Sequence, residues 1–244
     1  MRIALLDDYL AAARAAADWA RLGPAAEVHA FEAPFRDADE AAARLAGFDV
    51  IVAMRERTTL DAALLARLPA ARLVVTTGLR NASIDMAAAR AAGIDVCGTE
   101  MLPTPTAELA WGLILSLARR LPEQQAALRA GGWQVALGTV LAGKRLGVVG
   151  LGKLGTQMAR IGAAFGMEVV AWSTNLAEEK AAAAGARLVA KDELFATSDV
   201  VTLHLVLSAR SQGIVGAAEI ARMKPTAYLV NTSRAGLVDQ AALG

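Results

Sequence analysis

The chain has 244 residues, which at roughly 150 residues per domain allows one large domain or two modest ones. Its hydrophobic content of 55% exceeds the roughly 45–50% of an average soluble chain and excludes intrinsic disorder. With 25 basic against 24 acidic residues, a net charge of +1 and no block of like sign, neither a polyanion-binding surface nor an acidic tail is present, so nucleic acid is not expected as a partner.

The first apolar run spans Arg2–Leu6 and reads as a strand. It meets Asp7 and Asp8 at once, without the basic region or cleavage site of a signal peptide. Further strands are expected at Glu27–Phe31, Val50–Ala53, Leu73–Thr76 and Ile94–Cys97, short and buried on both faces, with helices between them. The clearest helix is Ser83–Ala92, with Ser83 as its cap and Gly93 at its end. His29 falls in a strand and reads as structural. Cys97, the one cysteine, ends a strand as a buried thiol; it can form no internal disulfide, and a reducing cytoplasm is the expected compartment.

Two prolines within Met101–Pro105 break regular structure and mark a domain boundary. Thr106–Arg120 reads as one long helix with Leu109, Leu113, Ile114 and Leu117 on one stripe. Its most apolar part, residues 109–118, is about ten residues long against the ~20 of a membrane span, so it is expected in a core and no membrane partner is implied. Gly131 and Gly132 form a loop, and strands follow at Arg145–Val149, Glu168–Trp172, Arg187–Val189, Val200–Leu205 and Ala227–Asn231. Short apolar runs alternating with helical stretches define an α/β protein with two doubly wound parallel sheets.

Strand Arg145–Val149 runs into Gly150-Leu151-Gly152-Lys153-Leu154-Gly155 and then a helix starting near Lys153. This is G-x-G-x-x-G in the strand–loop–helix setting that gives it meaning. Gly150 allows the tight turn, Gly152 lets a pyrophosphate approach the backbone, Gly155 permits close helix–strand packing, and amides at the helix start face the anion. A dinucleotide fold usually places an acid at the end of the next strand to hold the ribose. Here Ser173 and Thr174 stand there instead. NADP is thereby admissible, yet no arginine follows to bind its 2′-phosphate, so the cofactor is expected to be NAD or NADP with NAD slightly favoured. No metal is called for.

Five segments in order, Met54–Thr58, Thr77–Asp85, Thr106–Leu109, the glycine loop and Asn231–Asp239, resemble the D-isomer-specific 2-hydroxyacid dehydrogenases, the group containing phosphoglycerate dehydrogenase and glyoxylate/hydroxypyruvate reductase. The resemblance covers essentially the whole chain. It implies a flavodoxin-like substrate domain over 1–103 and a Rossmann NAD(P)-binding domain over 104–244. It also implies hydride transfer between NAD(P) and a D-2-hydroxy acid or its 2-keto acid, in a homodimer. Backbone N–H groups of Gly78, Leu79, Arg80 and Asn81 would hold the substrate carboxylate. Arg55 would lie near the substrate, although Arg57, two residues on, is an alternative.

The same resemblance makes Arg234 the catalytic arginine, placed after a strand end to grip the carboxylate with two parallel hydrogen bonds and polarise the keto oxygen. Thr106, Lys153, Leu154, His204, Leu205, Thr232 and Ser233 join the three loop glycines and Ser173 and Thr174 as cofactor contacts. His204 is not read as the proton donor; Val206 stands where the family commonly has proline, and a partly buried, hydrogen-bonded imidazole fits better. In the family a Glu and a His follow the Arg234 motif. The sequence ends at Gly244 with neither, so the Rossmann domain is expected to be incomplete, in a fragment of a longer enzyme or in a protein that ends early. A cofactor-sensing, non-catalytic interaction protein is the alternative on the same fold, and within enzymes a formate or phosphonate dehydrogenase.

Overall fold

A computed structural model describes residues 1–243. The chain divides into two compact units, Met1–Met101 and Leu102–Gly244.

In the first unit the strands are β1 (Arg2–Leu5), β2 (Glu27–Ala30), β3 (Val50–Ala53), β4 (Leu73–Thr76) and β5 (Asp95–Gly98), with α1 (Ala38–Leu45), α2 (Ala62–Leu65) and α3 (Met86–Ala91) between the later ones. All pairings are parallel, in the order β2-β1-β3-β4-β5. That is the flavodoxin-like arrangement, whose chain direction across the sheet reverses between β1 and β3. Leu5, Ile51 and Val74 from the three central strands are fully or almost fully buried. The edge strands are not buried on both faces as the sequence suggests: β2 and β5 alternate or open to solvent because each lacks a neighbour on one side. Cys97, on β5, is therefore exposed rather than buried.

The second unit begins with α4 (Thr104–Arg119) and α5 (Leu121–Arg129), divided at Arg120, whose φ of +53° breaks the helix. It continues as β6 (Arg145–Val149), α6 (Lys153–Ala164), β7 (Glu168–Trp172), α7 (Glu178–Ala183), β8 (Arg187–Leu188), α8 (Lys191–Thr197), β9 (Val200–Leu203), α9 (Ala217–Arg222) and β10 (Tyr228–Asn231). The parallel order β10-β9-β6-β7-β8 corresponds to the Rossmann order 3-2-1-4-5 read from the opposite edge, with its reversal between β6 and β9. Both strands at that point are almost wholly buried, each large aliphatic side chain contributing about 1.5–3 kcal/mol.

Four local expectations are corrected. The cap of α3 is Asp85, whose carboxylate accepts from the Ala87 and Ala88 amides, while Ser83 is held upstream by Asn81. Between β1 and β2 there is a 3-10 turn, Trp19–Leu22, in place of an α-helix. The strand expected to reach Leu205 leaves the ladder after Leu203. In α4 the buried stripe is Ala107, Ala110, Trp111, Ile114 and Ala118, while Leu109, Leu113 and Leu117 are exposed. Alanines let α4 approach α6 and β10 closely, and the leucines form a second stripe turned outward. Among the described residues, no helix is long and apolar enough to cross a membrane.

Candidate functional site

In the second unit, Val149 lies opposite Leu203 in the ladder, so Gly150 and His204 face each other as the two strands end. The His204 amide donates to the Val149 carbonyl at 2.8 Å, and the Gly150 amide donates to the Trp172 carbonyl at 2.8 Å. Gly150 has φ +96°, and a Cβ there would lie 2.8 Å from the His204 carbonyl group. A Cβ on Gly155 would overlap the Gly150 carbonyl oxygen. Gly152 differs: it caps α6, and none of the described residues lies within 4 Å of where its Cβ would be. Two of the three glycines are thus required by packing, and the third faces open space at a 12-residue helix start where anions bind. Lys153 opens that helix as an exposed cation, Leu154 packs against the core beneath it, and Ser173 and Thr174 follow the end of β7.

His204 is largely buried. Its Nε2 is 2.8 Å from Thr202 Oγ1, and burial lowers its pKa from 6.5 to about 4, so the imidazole is neutral at ordinary pH. Among the described residues its Nδ1 has no partner, and neither has the buried Oγ1 of Thr232. Register places Thr232 beside His204 on the adjoining strand end. Two orphaned polar atoms next to the glycine loop suit a polar ligand, because buried groups without partners are costly. Ser233 Oγ donates to the Leu205 carbonyl at 2.8 Å, tying the two strand ends together. Thr106 stands in the first turn of α4, half-buried.

Arg234 follows β10. Asn231 braces its loop, donating through Nδ2 to the Arg234 carbonyl at 2.9 Å and accepting from the Ser233 amide at 3.0 Å. The guanidinium is half-buried, donates to the Ser233 carbonyl at 3.2 Å, and lines a shallow cavity of about 370 Å³ with Asn231, Ser233 and Gln240. A larger cavity, about 610 Å³, lies by Lys144, Asp199 and Tyr228 at the amino ends of the strands and includes none of the candidate residues.

In the first unit, Gly78 has φ +112°, and Gly98 packs beneath it so closely that a Cβ would lie 2.8 Å from the Gly78 carbonyl oxygen. The Gly78 amide is taken by Thr99 Oγ1 at 3.0 Å, which removes it from the expected anion nest. The amides of Leu79, Arg80 and Asn81 find no acceptor among the described residues. Asn81 spends its side chain on structure, donating to the Arg55 carbonyl and to Thr76 Oγ1. Arg55, with φ +59°, has its amide on Thr77 Oγ1 and its Nη1 at 3.0 Å from Met101 Sδ. The guanidinium lies over Gly78, 3.5 Å from where a Cβ would be. Arg57 points elsewhere, to the carbonyl of Asp7. The arginine beside the amide loop is therefore Arg55. The contacts of Asp7, Tyr9, Thr58 and Thr202 escape the sequence; only the Asp-Asp pair directly after β1 hints at them.

A glycine loop at the reversal point of a 3-2-1-4-5 sheet, with open space over Gly152 and unpartnered polar atoms beside it, defines the second unit as a Rossmann-type dinucleotide-binding domain. Residues 111–244 match the NAD binding domain of the D-isomer specific 2-hydroxyacid dehydrogenases, and the chain belongs to that family. It is 35% identical over 247 residues to the D-3-phosphoglycerate dehydrogenase of Mycobacterium tuberculosis, covering 99% of this chain and 45% of that protein. It is 36% identical over 194 residues to the glyoxylate reductase of Aeropyrum pernix, covering 75% of this chain and 58% of that protein. A solved phosphoglycerate oxidoreductase from Vibrio cholerae superposes with a TM-score of 0.93 at 38% identity, over 100% of this chain and 78% of that one. The chain thus spans about half the length of the curated relatives it matches.

Proposed function

We propose that this chain forms the substrate domain (1–103) and NAD(P)-binding domain (104–244) of an oxidoreductase that interconverts a D-2-hydroxy acid and its 2-keto acid. The observation that carries the reading is the Gly150–Gly155 loop at the β6/β9 reversal point, packed against His204 yet open above Gly152. Gly152, Lys153 and the first amides of α6 hold the pyrophosphate, Ser173 and Thr174 meet the adenosine ribose, and His204, Leu205, Thr232 and Ser233 border the nicotinamide end. The bound dinucleotide supplies the hydride chemistry. Arg234 grips the substrate carboxylate and polarises the keto oxygen. The amides of Leu79, Arg80 and Asn81, with Arg55 above them, supply a second set of carboxylate donors.

His204 serves as a neutral hydrogen-bonding group and not as the proton donor, because a pKa near 4 leaves it without a proton to give at neutral pH. NAD is favoured over NADP, the location is cytoplasmic, and the working form is a homodimer, supported by the outward stripe of Leu109, Leu113 and Leu117. The test is reduction of glyoxylate, hydroxypyruvate, pyruvate and longer 2-keto acids with NADH and NADPH by the purified enzyme. A D-configured product supports the reading, and failure of the chain to bind either dinucleotide overturns it.

A further inference from the structure

The loop after β4 is anchored at both ends and bare in the middle. At its far end the Asn81 side chain donates to Thr76 Oγ1 at 3.0 Å and to the Arg55 carbonyl, and it accepts from the Ser83 amide at 2.9 Å. At its near end the Gly78 amide donates to Thr99 Oγ1 at 3.0 Å. Between the anchors the amides of Leu79, Arg80 and Asn81 have no acceptor among the described residues. Successive backbone amides left unpaired are uncommon, and they form a concavity that attracts anions.

The near anchor comes from the end of β5. Gly98 lies opposite Thr76 in the β4/β5 ladder, and Thr99 extends that pairing by one residue, its amide donating to the Thr76 carbonyl at 3.2 Å. The Thr99 hydroxyl is thereby carried to the Gly78 amide. Gly98 acts on the next peptide. A Cβ there would lie 2.8 Å from the Gly78 carbonyl oxygen and 3.1 Å from Leu79 Cα, so the Gly78 carbonyl is turned toward β5. In a trans peptide the C=O and N–H point in opposite directions, and no cis bond occurs among the described residues. The Leu79 amide therefore points away from β5.

Gly78 has φ +112°, a conformation that glycine reaches freely and for the same reason leaves freely. No contact within the loop holds it there. The hydrogen bond to Thr99 and the bare Cα of Gly98 do, and both belong to the segment that follows the neighbouring strand.

We propose that Thr99 is a positioning residue for substrate binding: by holding the Gly78 amide it fixes the peptide planes that follow, so that the Leu79, Arg80 and Asn81 amides face one carboxylate together. The amide withdrawn from the nest sets the direction of those that remain. The inference rests on the assignment of these three amides to the substrate carboxylate.

The test is titration of oxamate, an unreactive keto-acid mimic, into the full chain saturated with NADH, followed by calorimetry and by amide NMR. Thr99→Val removes the hydroxyl at nearly constant volume and should weaken oxamate about tenfold, with NADH affinity within about twofold of wild type. Thr99→Ser restores the hydroxyl and should bind oxamate within about threefold of wild type. In wild-type spectra, which do not depend on either variant folding, oxamate should shift the Leu79, Arg80 and Asn81 amide protons downfield and leave Gly78 in place. Wild-type or tighter oxamate binding by Thr99→Val, an equal loss of NADH affinity, a serine variant as weak as the valine one, or a Gly78 signal that moves as far as the other three overturns the proposal. If one of these occurs while the other three signals shift, the carboxylate assignment stands and only the role of Thr99 falls. If oxamate leaves all four signals in place, both fall.

Discussion

Gly150 rests against the carbonyl group of His204, so closely that a single added methyl would lie 2.8 Å from it. The glycine loop is therefore built into the sheet rather than laid on it. Gly150→Ala combines that overlap with a φ of +96° and should destabilise the chain by about 3 kcal/mol. Gly155→Ala, whose methyl would overlap the Gly150 carbonyl oxygen, should cost a similar amount. Denaturant melts of the two variants with wild-type midpoints would show that the loop is not held as described.

The neutral state of His204 has a consequence for stability against pH. Burial depresses the folded pKa to about 4 from 6.5, so between those values the unfolded chain binds a proton that the folded chain refuses. Stability therefore falls as pH drops through this window. Between pH 7 and pH 5 the imidazole should account for about 2 kcal/mol of loss. Wild type and His204→Gln should be compared by denaturant melts at both pH values; equal losses in the two proteins would place the histidine in a more solvated setting.

Ser173 stands directly after β7, where a ribose-binding acid is usual. Ser173→Asp adds a carboxylate that accepts from the ribose hydroxyls and repels a 2′-phosphate. The ratio of NADP to NAD dissociation constants should rise roughly tenfold. A ratio that does not move removes Ser173 from the ribose.

At the end of β10, Asn231 and Ser233 hold the loop that presents Arg234. Arg234→Lys keeps the charge but loses the planar fork, and keto-acid turnover by the active enzyme should fall about 100-fold or more while NADH affinity stays within a few-fold. Near-normal turnover would separate Arg234 from the substrate.

Much of this architecture is legible in the sequence because it is local. Strands β6 and β9 are apolar runs buried on both faces, and G-x-G-x-x-G states its own backbone demands. What escapes is set by neighbours distant in sequence. Cys97 is exposed because β5 has a partner on one side only, and the α4 leucines face outward because alanines give the closer fit to α6. The Gly78 amide is withdrawn from the nest by Thr99, which the sequence places 21 residues away. Arg57 meets Asp7 across a separation of 50 residues, which no pattern of spacing reveals.

The central claim is that the space above Gly152 belongs to a dinucleotide pyrophosphate, and titration of NADH into wild type and Gly152→Val tests it most directly. None of the described residues lies within 4 Å of a Cβ at Gly152, so the variant should melt within a degree or two of wild type while losing about 100-fold or more in NADH affinity. Unchanged affinity in a folded Gly152→Val protein would contradict the account.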